Sequence, residues 1–180
     1  RKLVRLKGGD PAIFGRLGEE IAALQHACIP FAIVPGITAA SAAAAASGIS
    51  LSLRGRARRV QFVAAHARHG EELELDWPAL ADNSATTVFY MARESASLIA
   101  ERLISHGLSA STPVLLMSDV SHTTEMRMCV ALSGLADAVE NFPPAVPLII
   151  LIGEVTEGAA THAHRVGAFS QALALHPACA

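Results

Sequence analysis

The residues with the clearest capacity for ligand chemistry form a glycine-rich turn near the start of the chain. Residues 8–11 read Gly-Gly-Asp-Pro, after an apolar segment at 3–6 that predicts a strand and before a predicted helix at 18–28. α/β proteins hold small ligands at such turns, outside the carboxyl end of the strand. Gly8 and Gly9 lack a Cβ atom, so a ligand can approach the backbone. The proline after Asp10 favours an extended backbone, which fixes the direction of the carboxylate.

The spacing of these glycines excludes the two common nucleotide fingerprints. Neither G-x-G-x-x-G nor G-x-x-x-x-G-K-[ST] occurs at this turn. An acidic turn also suits a phosphate poorly, because the carboxylate repels it. We therefore expect a cationic or hydroxyl-bearing ligand.

A second turn of the same kind lies at residues 35–38, which read Pro-Gly-Ile-Thr. It follows a predicted apolar strand at 31–34 and opens a predicted helix at 39–47, closed by Gly48. This helix consists almost entirely of alanine and serine. Such small residues allow close approach of a ligand or of another backbone, and periodicity alone leaves both interpretations open.

Composition limits the class of protein. The chain has 180 residues, 52% hydrophobic and 17% charged, with a net charge of −2, which indicates one or two globular domains and no nucleic-acid or membrane partner. Its longest small-apolar stretch is too short to span a bilayer. The three scattered cysteines form no disulfide framework and no metal spacing, so we expect a cytoplasmic protein. Because the chain begins within a predicted strand, we also expect it to be a fragment.

Periodicity predicts two α/β parts. Strands and helices alternate in the first third, which favours a parallel sheet, whereas a hairpin predicted between 112 and 132 makes the second sheet mixed. We predict a boundary near Gly55, giving a first domain at 1–55, a second at 56–155 and a weakly packed tail at 156–180. The strands predicted for the second domain are 60–65, 86–91, 113–117, 124–132 and 147–152, and its helices are 76–80, 95–106 and 133–139.

Several motifs together resemble one family in order and spacing. They are VRLKGGDP at 4–11, FGR at 14–16, EE at 19–20, VPGITAA at 34–40, DW at 76–77, FYM at 89–91, TPV at 112–114 and GEV at 153–155. On these residues the chain resembles the uroporphyrinogen-III C-methyltransferases of the tetrapyrrole methylase family, which occur alone or as the carboxyl-terminal part of sirohaem synthase. The resemblance covers roughly residues 1–155.

The resemblance implies two α/β domains with S-adenosylmethionine in the cleft between them, usually in a homodimer. It implies methylation of uroporphyrinogen III to precorrin-2, in sirohaem and possibly cobalamin biosynthesis. Position by position, the implied cofactor contacts are Gly8, Gly9, Asp10, Ile13, Thr38, Ala39, Met91 and Val120. Asp10 would serve the ribose hydroxyls or the amino-acid end, Thr38 would supply a polar contact, and Ile13 and Met91 would contact the adenine.

The arginines after residue 53 are the candidate substrate contacts. Guanidinium groups pair bidentately with carboxylates, and the implied substrate is a polycarboxylate, which favours Arg54. A solvated linker is the other interpretation of this charge run, and an RNA-binding patch is a weaker third. The resemblance places the family's Gly-x-Gly-Pro-Gly loop and its proposed acid/base residues before Arg1. We therefore assign no catalytic residue here and expect residues 1–180 alone to have little activity.

Two alternatives stay open at the level of sequence. The family usually has glycine at the positions of Leu17, Ala92 and Val120, and these departures leave room for a later precorrin as substrate. The chain could also be a non-catalytic cofactor-binding or dimerisation module within a fused sirohaem synthase.

Overall fold

A five-stranded mixed sheet forms the centre of the computed structural model, which describes residues 2–66 and 73–161. The strands are β1 (Arg59–Ala64), β2 (Ala85–Tyr90), β3 (Pro113–Ser118), β4 (Met126–Ala131) and β5 (Leu148–Ile152). Their order is β1-β2-β5-β3-β4. β1 and β2 are parallel, and every other neighbouring pair is antiparallel. The predicted mixed sheet is confirmed, as is the β3–β4 hairpin.

The helices cover both faces of this sheet. They are α1 (Leu17–His26), α2 (Ala39–Ser47), α3 (Trp77–Leu80), α4 (Ala96–Ser105), α5 (Leu135–Val139) and α6 (Glu157–Thr161), with 3-10 turns at Leu132–Gly134 and Glu154–Thr156. On one face, α3, α4 and α5 pack against a first core cluster that includes Phe89, Ile99, Leu103, Leu116 and Ile150. Because both faces are buried, β3 and β5 are almost continuously apolar, while β2 also buries Thr86 and Thr87.

A second core cluster lies on the opposite face. It comprises Ala40, Ala43, Val88, Leu115, Met117, Ile149, Leu151 and Ala159. Its helix α2 ends as predicted, with Gly48 in the left-handed region at φ 67°. Ala40 and Ala43 are fully buried, so the small side chains of α2 allow it to pack closely on the sheet. The backbone-packing interpretation of the alanine-rich helix is therefore confirmed.

The two strands predicted in the first third are absent from the described structure. Residues 3–6 and 31–34 join no strand ladder. Their large side chains are exposed, with Leu3 at 91% and Val34 at 78%. An apolar strand is stable only when a neighbouring strand takes up its backbone hydrogen bonds, and no described segment does so here. We call residues 3–6 and 31–34 the exposed apolar segments.

Two further segments have ordered local structure. Around the boundary predicted near Gly55, Leu53 and Ala57 exchange backbone hydrogen bonds of 2.9 and 2.8 Å, and Gly55 itself has φ 84°. The predicted tail begins with packed structure, because Thr156 and Ala159 are buried. The rest of that tail, residues 162–180, lies outside the described residues. No helix in the described ranges has the length and hydropathy needed to cross a membrane.

Candidate functional site

The first glycine-rich turn is closed by its own side chains. Asp10 Oδ1 accepts a 2.8 Å hydrogen bond from the Ala12 backbone nitrogen, an Asx-type contact that fixes the carboxylate. Lys7 Nζ donates to the Gly15 carbonyl and to Glu20 Oε1, both at 2.6 Å. The turn is thereby attached to α1. The hydrogen bond from Lys7 also holds the pKa of the Glu20 carboxyl below its ordinary value.

The same carboxylate joins the two predicted ligand turns. Asp10 Oδ2 accepts a 3.0 Å hydrogen bond from the Gly36 backbone nitrogen. The turns are in contact, because a Cβ atom added at Gly36 would lie 2.7 Å from the Gly9 carbonyl oxygen. An ionised carboxylate has about four acceptor positions. Asp10 thus fixes the relative position of the turns and keeps acceptor capacity for a ligand.

Tyr90, at the end of β2, connects the second turn to the sheet. Its hydroxyl forms a 2.5 Å hydrogen bond with Thr38 Oγ1 and accepts another of 3.1 Å from the Ala40 nitrogen, at the start of α2. Its ring lies 4.9 Å from that of Phe14, measured between centroids. The next residue, Met91, is half exposed with a left-handed backbone at φ 55°. The first turn, the second turn and the end of β2 therefore meet at Tyr90.

The turn after β3 approaches the same place. Val120, Ala39 and Tyr90 are all partly buried against the second core cluster. On either side of Val120, Asp119 and Ser121 have φ values of 48° and 72°. Val120 is thus presented from a tight turn at the edge of the sheet where Tyr90 ends.

The predicted cofactor residues differ in how firmly the structure connects them. Contacts link the segments that carry Gly9, Asp10, Thr38 and Ala39. Val120 packs against the same core cluster as Ala39, and Met91 adjoins Tyr90. Ile13 is half buried and closes the first turn with a 3.2 Å hydrogen bond from its nitrogen to the Asp10 carbonyl. Gly8 faces open space, with nothing within 4 Å of an added Cβ.

Arg54 lies apart from these contacts. It occupies the exposed turn at residues 53–57, and its side chain makes no hydrogen bond or ion pair with the described part of the chain. Two of the neighbouring arginines do have partners: Arg56 contacts Glu157 at 3.1 Å, and Arg59 contacts Asp82. Arg54 is therefore free to meet an external anion, while Arg56 and Arg59 support the fold.

A cleft of about 250 Å³ opens beside Met91. Its lining residues include Ala65, His66, Ala92, Ser95 and Pro147. Arg93 fixes one wall, because its guanidinium donates to the backbone carbonyls of Val139, Phe142, Pro143 and Val146 at 3.0–3.4 Å. Met91 lines this cleft and directly follows Tyr90, whose hydroxyl contacts the second turn.

Sequence reasoning assigned no role to Lys7, Phe14, Tyr90 or Arg93, although the first three lie within the quoted motifs. Tyr90 is the only tyrosine in the chain and precedes a predicted ligand residue, which was a usable signal. The contacts of Arg93 are with a segment about 50 residues away, and no local pattern could have shown them.

This arrangement defines an α/β protein in which two turns that precede helices meet the end of β2 in a mixed sheet. Residues 1–133 match the family of Tetrapyrrole (Corrin/Porphyrin) Methylases. The chain belongs to this family, as its motifs suggested.

Curated relatives of the chain carry two names. Siroheme synthase 1 of Aeromonas hydrophila is 47% identical over 161 residues, which are 86% of this chain and 33% of that protein. Uroporphyrinogen-III C-methyltransferase of Paracoccus denitrificans is 42% identical over 153 residues, which are 85% of this chain and 53% of that protein. The chain thus spans a third to about half of the length of these relatives.

Solved structures have the same fold. Uroporphyrin-III C-methyl transferase from Thermus thermophilus, complexed with S-adenyl homocysteine, superposes with a TM-score of 0.72 at 32% identity, covering 86% of this chain and 67% of that one. A cobalt precorrin-4 methyltransferase superposes with a TM-score of 0.73 at 26% identity, covering 81% and 61%. The expected tetrapyrrole methylase fold is confirmed.

Proposed function

We propose that the protein containing this chain transfers methyl groups from S-adenosylmethionine to carbons of uroporphyrinogen III, giving precorrin-2 in sirohaem and cobalamin biosynthesis. The observation that carries the proposal is the contact network of Asp10, Gly36, Thr38 and Tyr90. It joins the segments on which the family resemblance places the cofactor contacts. The names of the relatives support the substrate, and the Thermus complex supports the cofactor.

The chemistry of the site fits this cofactor. S-adenosylmethionine, when bound, supplies an electrophilic methyl group on a positively charged sulfonium and also carries ribose hydroxyls and an ammonium group. The Asp10 carboxylate, with acceptor positions left over, suits hydroxyls and cations and repels phosphates. The open space at Gly8 leaves room for a ligand, and half-exposed Met91 offers an apolar surface for the adenine.

We infer that this chain contributes mainly positioning and the exclusion of water. Methylation of an electron-rich pyrrole carbon requires that carbon to lie in line with the transferred methyl group, and such orientation lowers the barrier substantially. Asp10, Thr38 and the backbone at Gly9 and Val120 would hold the cofactor. Arg54 would pair with a carboxylate of the substrate. No residue of the chain is assigned to proton transfer.

The organisation of the complete protein is part of the same proposal. Residues 1–55 would belong to a first α/β domain and 56–155 to a second, with the cofactor between them. Residues 156–180 would form a carboxyl-terminal segment whose start packs against the second core cluster. The family resemblance supports a homodimer as part of this proposal, and the cysteine usage supports a cytoplasmic location.

Binding of S-adenosylhomocysteine tests the site directly. Isothermal titration of the full-length protein should give a saturable 1:1 heat for the wild type and a weaker affinity for Asp10→Ala. Asp10→Asn keeps one acceptor oxygen, so its affinity should lie between those of the wild type and Asp10→Ala. Unfolding of each variant is measured in parallel, so that loss of structure is distinguished from loss of contact. Equal affinity in all three proteins would remove Asp10 from the site, and no binding by the wild type would refute the proposed function.

A later precorrin is the second candidate substrate. The observation that favours it is the superposition on the cobalt precorrin-4 methyltransferase, which matches the TM-score of the uroporphyrin enzyme. Mass analysis of products from uroporphyrinogen III decides between them: a gain of two methyl groups supports precorrin-2 formation, and an unchanged substrate favours the later precorrin. A protein that binds S-adenosylhomocysteine but methylates neither substrate would instead be a non-catalytic module.

A further inference from the structure

The turn that carries Val120 is strained and needs support from outside. Asp119 and Ser121 have left-handed backbones, at φ 48° and 72°, a conformation that is unfavourable for residues with a Cβ atom, and more so for Ser than for Asp. Within the turn, the His122 nitrogen donates to the Asp119 carbonyl at 2.9 Å. The Asp119 nitrogen makes only a long 3.4 Å contact with the Pro147 carbonyl. The Glu125 nitrogen donates to the His122 carbonyl at 3.1 Å, but no backbone hydrogen bond in the described residues involves Ser121, so the backbone alone does not explain its conformation.

Glu125 supplies the missing support at the strained residue. Its Oε2 accepts a 2.9 Å hydrogen bond from the backbone nitrogen of Ser121. A second side-chain contact acts at the other strained residue, where Thr124 Oγ1 donates to Asp119 Oδ2 at 2.9 Å. Two residues just before β4 thus hold both left-handed positions of the turn.

The Glu125 side chain is itself held by burial and charge. It is only 6% exposed, and its Oε1 lies 3.7 Å from Arg127 Nη2, whose side chain is 11% exposed. Oε1 has no hydrogen-bond partner in the described ranges, so Arg127 compensates its charge without a direct hydrogen bond. A buried carboxylate requires such compensation. Arg127 lies in β4 opposite Met117 of β3, which ties the carboxylate to the sheet.

We propose that Glu125 is a positioning residue for the cofactor site: by accepting from Ser121 it fixes the turn that presents the Val120 backbone. The inference rests on the proposed function, because it assumes that Val120 contacts the cofactor. Arg127 orients Glu125 and does not itself approach the ligand. Ligand binding therefore depends on the reach of the side chain to Ser121, whereas the charge pair with Arg127 contributes to the stability of the fold.

Two conservative variants separate reach from charge. Glu125→Gln retains the length and an acceptor oxygen for Ser121 but loses the charge. Glu125→Asp retains the charge but is one methylene shorter and withdraws the acceptor. In isothermal titration of the full-length protein with S-adenosylhomocysteine, we expect Glu125→Asp to raise the Kd about tenfold, the scale of one lost hydrogen bond to a charged group. Glu125→Gln should stay within about twofold of the wild type.

A stability control and a local probe complete the test. Leu108→Ala, at a buried position of the first core cluster, should lower the Tm without changing the Kd. Exchange of the Ser121 amide hydrogen, followed by NMR, should accelerate in Glu125→Asp and remain slow in Glu125→Gln. A wild-type Kd for Glu125→Asp together with a raised Kd for Glu125→Gln would overturn the proposal. An unchanged Kd in both variants would overturn it as well. Failure of the wild type to bind would refute the proposed function instead.

Discussion

Substitution of Gly36 by alanine should break the contact between the two ligand turns. The added Cβ would lie 2.7 Å from the Gly9 carbonyl oxygen, 3.1 Å from its carbon and 3.2 Å from Asp10 Cα. All three neighbours are backbone atoms, so no side-chain rotation relieves the clash. The turns must separate, and the hydrogen bond from the Gly36 nitrogen to Asp10 Oδ2 must lengthen with them.

The expected loss of stability follows from the steric clash and the weakened hydrogen bond. Overpacking of this kind destabilises by about 1–3 kcal/mol, and a hydrogen bond to a charged group contributes about 1.5 kcal/mol at the lower end of its range. Together they give about 3 kcal/mol. At roughly 2–4 °C per kcal/mol for a chain of this size, the Tm should fall by on the order of 10 °C. Affinity for S-adenosylhomocysteine should fall as well, because both turns move.

Two matched substitutions act as controls for Gly36→Ala. Gly18→Ala, in the first turn of α1, and Gly8→Ala place the same methyl group where nothing lies within 4 Å. Gly18→Ala should leave the affinity unchanged and the stability equal or about 0.5 kcal/mol higher. Gly8→Ala should preserve the Tm but weaken ligand binding, because its methyl group enters the proposed ligand space. Calorimetric unfolding and titration measure both quantities. A Gly36→Ala protein with wild-type Tm and affinity would refute the reasoning.

Three further variants test the supports of the site. Tyr90→Phe keeps the ring but loses the hydrogen bonds to Thr38 and the α2 backbone, so unfolding should become easier by about 1–2 kcal/mol; an unchanged denaturation midpoint would contradict this. Lys7→Met should return the lowered pKa of Glu20 toward its ordinary value of 4.5, as a carboxyl NMR titration would show. A carboxyl whose pKa is lowered by folding stabilises the fold at pH values above its unfolded pKa, and this stabilisation is lost as the pH falls through the folded pKa. The variant should therefore lose less stability than the wild type when the pH falls below about 4.5. Arg93→Lys cannot reproduce a planar array of donors, so hydrogen exchange in the 139–146 segment should accelerate; exchange as slow as in the wild type would count against this role of the guanidinium.

The second α/β part could be predicted because local patterns agree with its packing. The apolar runs of β3 and β5 are buried on both faces, and Gly48 ends α2 in the left-handed conformation that glycine favours. Asp76, in a motif quoted for the resemblance, accepts from the Ala79 nitrogen at 3.2 Å as the N-cap of α3. In each case the residue type and the local structure point in the same direction.

The remaining features depend on contacts between distant residues. Residues 3–6 have strand composition, but a strand also requires a paired neighbour, and the composition of a segment cannot supply one. The left-handed backbones at Met91 and Ser121 are imposed by surrounding structure, not by residue type. The role of Asp10 as the link between two turns depends on Gly36, 26 residues later. For these residues the sequence predicted a ligand site but not the contacts that hold it together.

The exposed apolar segments also have a consequence for handling the protein. Leu3, Leu6 and Val34 each expose more than three quarters of their surface, and their backbones are free to pair with a similar segment from another molecule. Uncovered strand-forming segments of this kind template intermolecular sheets. Any preparation that leaves them uncovered, including a proteolytic product, should therefore aggregate in a concentration-dependent way at temperatures where the central sheet is still intact. Its shelf life would then depend on colloidal stability more than on its melting temperature.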